Sequence, residues 1–159
     1  MKDKVKVLRY NNVDLDYKLI LKFHQLIYVS TPLNKSLIYF DSNFPKYFKQ
    51  VIEDSINNLI SILVVNDNVV GFLHFKLLGN RVFLNNIYVS ERLQGKGLGK
   101  LFLKKSLDLL DLRNFKIFEL DVFSKNIIAL NWYEKLGLKT VAISNWRQIL
   151  CFHPHNVLS

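Results

Sequence analysis

The segment that most constrains the fold of this chain is a cluster of glycines between a strand-like stretch and a helix-like one. Three of the six glycines, Gly95, Gly97 and Gly99, fall within five residues. Residues 81–89 alternate as a strand does, and Leu98 opens an apolar pattern with helical spacing. Glycine leaves the backbone bare and permits positive φ, so N–H groups at a helix start can face one concavity. Three cations surround this segment: Arg92, Lys96 and Lys100. The pattern predicts an anion cradle suited to a pyrophosphate.

Two other phosphate-binding loops do not fit this segment. A P-loop needs four residues between its glycines and then Gly-Lys-Ser/Thr, whereas Lys100 is followed by Leu101. A dinucleotide loop, G-x-G-x-x-G, follows the first strand of a βαβ unit, whereas here the third glycine comes one residue early, after a predicted three-strand meander. The alternative that remains is a flexible turn before an amphipathic helix, which the dense spacing of the glycines disfavours.

The rest of the chain predicts a mixed α/β domain. Strands are expected over 4–10, 60–65, 69–77, 81–89, 116–123, 140–143 and 146–152. Helices are expected over 14–29, 45–58, 98–112 and 126–136. Turn residues at 66–68 and at 79–80 make the second, third and fourth strands antiparallel neighbours. A length of 159 residues suggests one domain, 1–159.

The net charge of +9, from 22 Lys and Arg against 13 Asp and Glu, suggests an anionic partner. That partner would be a nucleic acid, a membrane surface or a phosphorylated small molecule. The lysines are scattered, however, and no block of five like charges occurs. Nucleic-acid and membrane partners are therefore not expected, and most of the excess charge is read as surface composition.

Cysteine content and hydropathy indicate the cellular compartment of the chain. A single cysteine excludes an intramolecular disulfide, and Cys151 with His153 and His155 lacks the arrangement of a metal site, so no metal is expected. No apolar run approaches 18 residues, and the start of the chain does not resemble a signal peptide. A cytoplasmic location is expected.

Two segments in the expected order resemble the GNAT N-acetyltransferase superfamily. Residues 94–99, Gln-Gly-Lys-Gly-Leu-Gly, are similar to its Q/R-x-x-G-x-G/A loop. Residues 120–138 match its pattern L-x-V-x-x-x-N-x-x-A-x-x-x-Y-x-x-x-G-F/L at every specified position. The resemblance is strongest over 82–138. It implies a mixed, mostly antiparallel sheet of about seven strands with four helices, in which strands 4 and 5 splay around acetyl-CoA.

The resemblance also implies the site. The residues expected to bind acetyl-CoA are Ile87, Tyr88, Val89, Gln94, Gly95, Lys96, Gly97, Leu98, Gly99, Lys100 and Asn126. A backbone N–H near Val89 would stabilise the carbonyl oxygen. Tyr133 would be the general acid that protonates the sulfur of CoA. Without the motif, Tyr133 would be read as a core aromatic residue beside Trp132.

The general base remains open. The fourth strand has no carboxylate, although Asn85 and Asn86 could hold a water. The remaining candidates are Glu119, Asp121 and His74, the last of which has a suitable ordinary pKa but is as well explained as a structural residue on a sheet face. An α-amine with a pKa of about 8 needs little help, whereas a lysine-type amine costs roughly 4 kcal/mol to deprotonate at pH 7. The missing carboxylate therefore favours an α-amine or a water relay.

The acceptor is predicted from composition. The expected pocket segments, roughly 28–48 and 144–152, are rich in aromatic residues and poor in acids. This favours an acceptor less cationic than a polyamine, such as an amino acid, a peptide N-terminus or an amino sugar. The predicted function is acetyl transfer from acetyl-CoA to a primary amine of a small molecule or of a peptide or protein N-terminus. The alternative is a catalytically weak acyl-CoA-binding module, and a homodimer through the last strands is left open.

Overall fold

The computed structural model describes residues 2–11, 44–143, 146–152 and 154–157, and their strands form one seven-stranded sheet. The strands are β1 (Val5–Arg9), β2 (Asn58–Val65), β3 (Asn68–Leu78), β4 (Arg81–Val89), β5 (Ile117–Phe123), β6 (Lys139–Ile143) and β7 (Trp146–Phe152). The α-helices of this part of the chain are α1 (Phe44–Glu53), α2 (Leu98–Asp108) and α3 (Ile127–Lys135). The helix predicted over 14–29 and most of the loop after it lie outside the described residues.

The sheet is mixed and mostly antiparallel, as predicted. Its strand order is β1-β2-β3-β4-β5-β7-β6, and among the described strands only β4 and β5 run parallel. The parallel pair is short, extending from Arg81 opposite Ile117 to Phe83 opposite Glu119. Beyond Phe83 the two strands are no longer paired, which leaves a gap between them.

Apolar residues cover both faces of the sheet. On one face, buried residues of α2 and α3 pack in the larger core with alternate residues of the strands, such as Phe118, Leu120 and Val122 of β5. On the other face, α1 packs in a smaller cluster made of Phe48, Val51, Ile52, Ile60, Ile62 and Phe72. Because side chains alternate along a strand, Glu119 and Asp121 lie on the α1 side of β5.

Helix α1 ends earlier than predicted, and Ile56 is not part of its buried face. The helix stops at Glu53, and Ile56 is 83% exposed in the turn that follows. Two asparagines terminate the helix: Asn57 Nδ2 donates to the carboxylate of Asp54, and Asn58 Nδ2 donates to the Asp54 carbonyl oxygen at 3.1 Å. The bond from Asn58 satisfies a backbone carbonyl that a continued helix would have paired internally.

Two further boundaries differ from the sequence prediction. Helix α2 ends at Asp108 rather than near 112, and its Leu101 is 36% exposed. Asp111 instead caps a separate short 3-10 helix by accepting from the backbone N–H of Arg113. Helix α3 begins at Ile127, because the preceding Asn126 caps it.

Candidate functional site

A cleft of about 180 Å³ opens where β4 and β5 separate. Its lining comes from the second halves of both strands and from α3: Leu84, Asn85, Asn86, Ile87, Leu120, Asp121, Val122, Phe123, Asn126, Ala129 and Tyr133. The parallel pairing of the two strands is short, so their edges are left open beyond Phe83. The cleft therefore contains six of the residues singled out from the sequence.

A β-bulge marks the place where β4 leaves β5. In the β3–β4 register, His74 lies opposite Asn86 and Phe75 lies opposite Leu84, so Asn85 is the extra residue of β4. A bulge bends its strand and increases the local twist. The bend comes two residues after Phe83, the last residue of β4 that pairs with β5.

The glycine segment forms the loop that the sequence predicted. Gly95 and Gly97 have φ of 80° and 78°, a region that favours glycine, and a Cβ on either would meet open space. Gly97 is the N-cap of α2 and provides no side-chain cap, so it does not satisfy the first N–H groups of this 11-residue helix, which have no partner within the helix. Gln94 Nε2 donates to the Val89 carbonyl oxygen at 2.8 Å and ties the loop to the end of β4.

The third glycine has a packing role. A Cβ on Gly99 would lie 3.4 Å from the indole of Trp132, so this residue lets the start of α2 approach α3. Trp132 in turn lies against Tyr133, with ring centroids 5.1 Å apart. The glycine loop and the predicted acid are thus linked through one aromatic pair.

The three cations around the loop are exposed. Arg92 and Lys96 line a shallow groove with Asp3 and the Asn66–Asn68 turn, whereas Lys100 lies in the first turn of α2. Lys100 is therefore the cation that belongs to the helix start itself.

Helix α3 brings two predicted residues to the cleft. Asn126 Oδ1 accepts from the Ala129 N–H at 3.2 Å, so this side chain caps the helix while also lining the cleft. Tyr133, two turns further on, is 8% exposed. Its burial raises the pKa of the phenol well above its ordinary value, so the hydroxyl stays protonated at neutral pH.

Glu119 is engaged by a neighbour. Its Oε2 accepts from Arg81 Nη1 at 3.0 Å, and the residue is 6% exposed. Arg81 was not singled out from the sequence, because the two residues are 38 positions apart and only the parallel register brings them together. The carboxylate of Glu119 is thus held at the point where the strands begin to part.

His74 is enclosed by two amides. Its Nε2 donates to Asn58 Oδ1 at 2.8 Å, and its Nδ1 lies 3.3 Å from Asn85 Nδ2. Burial, and then the charge of Lys76, lower the pKa of the imidazole to about 4. His74 is therefore neutral at physiological pH with both ring nitrogens used.

Asp121 differs from both of these groups. It is exposed, it lies on the α1 side of β5, and it lines the cleft opposite Asn85 and Asn86. Of the base candidates named from the sequence, Asp121 is the carboxylate that both lines the cleft and is exposed to solvent. Within the described ranges no helix is long and apolar enough to span a membrane, and no cluster of three or more metal-ligating side chains occurs.

Comparisons with known proteins agree with this geometry. A spermine/spermidine N(1)-acetyltransferase of Bacillus subtilis (strain 168) is 34% identical over 86 residues, a match that spans 48% of this chain and 57% of that protein. The PaiA N-acetyltransferase from Thermoplasma acidophilum in complex with coenzyme A superposes with a TM-score of 0.74 at 14% identity, covering 96% of this chain and 99% of that one. The ribosomal-protein-S18-alanine N-acetyltransferase from Escherichia coli superposes with a TM-score of 0.69 at 17% identity, covering 94% of each chain.

The two structural likenesses show the fold. The family model described as "Acetyltransferase (GNAT) family" matches residues 25–138, which include the glycine loop, the split strands and α3. This confirms the resemblance drawn from the two motifs. The chain belongs to the GNAT acetyltransferase family.

Proposed function

We propose that this chain transfers the acetyl group of acetyl-CoA directly to a primary amine of a small molecule or of a peptide or protein N-terminus. The observation that carries the proposal is the cleft between β4 and β5, where the buried Tyr133 meets the open edge of β4 above an uncapped helix start. Residues 87–89, the glycine loop (residues 94–100) and α3 form what we call the donor side of this cleft. His74, Asn85, Asn86 and Asp121 form the acceptor side.

The donor side fits acetyl-CoA. Pyrophosphate oxygens would accept from the free N–H groups at the start of α2, with Gly95 and Gly97 leaving space for them and Lys100 adding charge. The pantetheine arm would lie along residues 87–89, with Asn126 beside it. The backbone N–H near Val89 would stabilise the carbonyl oxygen as it gains negative charge.

Tyr133 is proposed as the general acid. When the amine attacks, the C–S bond breaks and the sulfur needs a proton or a strong hydrogen bond. The protonated phenol can donate either one, and because burial raises its pKa the hydrogen bond is the easier of the two. The ring packing against Trp132 holds the hydroxyl in one direction, which keeps it aimed at the leaving group.

Asp121 is proposed as the group that receives the proton of the attacking amine, directly or through one water. An ammonium has no lone pair, so it must lose a proton before it attacks. Asp121 meets the cleft and the solvent, whereas Glu119 is bound by Arg81 and His74 by two amides. A proton taken by Asp121 can pass to bulk water.

The acceptor class has two candidates. The curated relative acts, by its name, on spermine and spermidine, which favours a polyamine. Among the described cleft residues Asp121 is the one acid, and a polyamine with several positive charges would be expected to meet more, which favours an amine with one charge. The less cationic acceptor predicted from composition remains the first proposal.

The test is thiol release from acetyl-CoA by the purified chain, measured with spermidine, with an alanine-initiated peptide and with an amino sugar. We expect turnover with the peptide or the amino sugar to exceed that with spermidine. Faster turnover of spermidine would establish the polyamine acceptor instead. Tight acetyl-CoA binding without thiol release on any amine would indicate the acyl-CoA-binding module.

A further inference from the structure

A continuous line of hydrogen bonds runs from the end of α1 to the acceptor side of the cleft. Asn58 Nδ2 donates to the carbonyl oxygen of Asp54 at 3.1 Å, and His74 Nε2 lies 2.8 Å from Asn58 Oδ1. His74 Nδ1 lies 3.3 Å from Asn85 Nδ2, which also donates to Asn86 Oδ1 at 2.7 Å. Five residues from four parts of the chain are thereby joined beneath the β4 bulge.

One backbone group determines the direction of every bond in this line. A carbonyl oxygen can only accept, so Asn58 must present Nδ2 to Asp54 and Oδ1 to His74. His74 must then donate through Nε2, which leaves Nδ1 of the neutral ring as an acceptor. Asn85 is therefore required to turn its Nδ2 inward toward the ring.

The consequence is a free oxygen in the cleft. Both protons of Asn85 Nδ2 are used, one toward His74 and one toward Asn86. Asn85 Oδ1 has no hydrogen-bond partner among the described residues, and Asn85 lines the cleft. As the extra residue of the bulge, Asn85 also lies outside the regular pairing of β3 and β4, so its side chain is directed by this line of bonds.

We infer that Asn85 Oδ1 binds the acceptor amine and that His74 is a positioning residue that keeps this oxygen turned into the cleft. The inference rests on the proposed function. It assigns His74 a role other than base catalysis and identifies Asn85 as the residue that orients the amine toward the acetyl group.

An amide oxygen suits this position better than a carboxylate would. A carboxylate next to the amine favours the ammonium form and so opposes the deprotonation that attack requires. An amide oxygen accepts an N–H from a neutral amine without adding a negative charge. The fixed acceptor thus leaves the proton transfer to Asp121.

The test is a double-mutant cycle between His74 and Asn85, measured as kcat/KM for the amine that the wild-type chain turns over fastest. Asn85→Ala removes the oxygen, and His74→Leu removes the acceptor that orients it. Each is expected to lower kcat/KM for the amine roughly 5- to 10-fold, the value of one hydrogen bond, with the Kd for acetyl-CoA unchanged. In the Asn85→Ala background, His74→Leu is expected to cause no further loss.

Two variants separate positioning from mere stability. His74→Asn places an amide oxygen near the position of Nδ1 and is expected to restore much of the lost kcat/KM. Ser106→Ala is the matched control, because it removes one partner of a buried hydrogen bond, Ser61–Ser106 at 2.7 Å, on the other face of the sheet. It is expected to lower the melting temperature but not kcat/KM for the amine.

Each outcome decides the matter. The inference is overturned if His74→Leu lowers kcat/KM by the same factor in the wild-type chain and in the Asn85→Ala variant, or if it does not lower kcat/KM at all. Neither result affects the acetyltransferase proposal. If the wild-type chain acetylates no amine although it binds acetyl-CoA, both fail together. If His74→Leu does not fold, Asn58→Ala takes its place, since it frees the ring from the other side and is expected to give the same non-additive loss.

Discussion

The two sides of the cleft are built in different ways. The donor side relies on backbone and small residues: Gly95 and Gly97 at positive φ, a helix start without a side-chain cap, and Gly99 beneath Trp132. The acceptor side relies on side-chain hydrogen bonds between distant residues, those of His74 with Asn58 and Asn85. Next to it, Glu119 is bound by Arg81. A short local motif therefore encodes the donor side, whereas the acceptor side depends on which strands become neighbours.

The largest effect is expected from Tyr133→Phe. Removing the hydroxyl removes the proposed acid while the ring still packs against Trp132. We expect kcat to fall about 10³-fold, within the range of general acid catalysis, with little change in the Kd for acetyl-CoA. Tyr10→Phe is the matched control, because it removes the hydroxyl of a tyrosine that packs against Phe48 in the smaller cluster, away from the cleft, and its kcat should equal that of the wild type. Full activity of Tyr133→Phe would remove Tyr133 from the mechanism.

The next effect is expected on the acceptor side, from Asp121→Asn. At pH 7 we expect kcat/KM for the amine to fall about 10²-fold, because the amine then loses its proton without help. The loss should shrink as the pH approaches the pKa of the amine, so a pH–rate profile is the measurement. Glu119→Gln, which keeps an oxygen for Arg81, should leave kcat/KM near wild type. The reverse ranking of the two variants would transfer the role to Glu119.

The free energy of unfolding of the chain is expected to depend on pH through His74, on the acceptor side. The pKa of its imidazole is about 4 in the folded chain, against an ordinary value of 6.5, so the unfolded chain binds the proton more tightly. This contribution to stability is complete above about pH 6.5 and is lost as the pH falls toward 4. Between pH 7 and pH 5 the loss is about 2 kcal/mol.

Urea unfolding at the two pH values measures this loss directly. His74→Asn removes the titrating group. Between pH 7 and pH 5, the free energy of unfolding of this variant should therefore fall by about 2 kcal/mol less than that of the wild-type chain. An identical pH dependence of the two chains would mean that the imidazole is not kept neutral by its surroundings.

The smallest effect is expected on the donor side, from Gly97→Ala. A side chain at a φ of 78° is strained by about 1–2 kcal/mol, and the added methyl group points into the space proposed for the phosphates. The Kd for acetyl-CoA should rise roughly tenfold, with kcat at saturation little changed. Gly79→Ala is matched in φ and in free space but lies in the turn after β3, so it should lose similar stability without a change in that Kd. Isothermal titration with acetyl-CoA distinguishes the two.

Much of the donor side could be predicted from the sequence. The bounds of β4 and β7 agree with the alternation of their residues, and the glycine loop lies where its spacing placed it. The capping by Asn126 was not predicted, although an asparagine before an apolar run is the local signal for it.

The predicted helix ends were less accurate. Asn57 and Asn58 stop α1 through bonds to Asp54, and helical periodicity does not reveal these bonds.

On the acceptor side, the sequence could narrow the general base to a few candidates but could not choose between them. Glu119, Asp121 and His74 all remain candidate bases in the sequence, since each is a polar residue in an apolar strand. Their difference arises from partners far away along the chain: Arg81 for Glu119, and Asn58 with Asn85 for His74. Residues 28–43, which form much of the segment that the sequence assigns to the acceptor pocket, lie outside the described part of the chain.

The sequence by itself determined the family, the order of the described elements and the position of the glycine loop, because these depend on periodicity and on glycines a few residues apart. The tertiary structure alone decided where β4 and β5 part, how the Asn85 amide is hydrogen-bonded, and that Glu119 is paired with Arg81 whereas Asp121 is exposed. These features depend on strand register and burial, and both arise only when residues distant in the chain are brought within hydrogen-bonding distance.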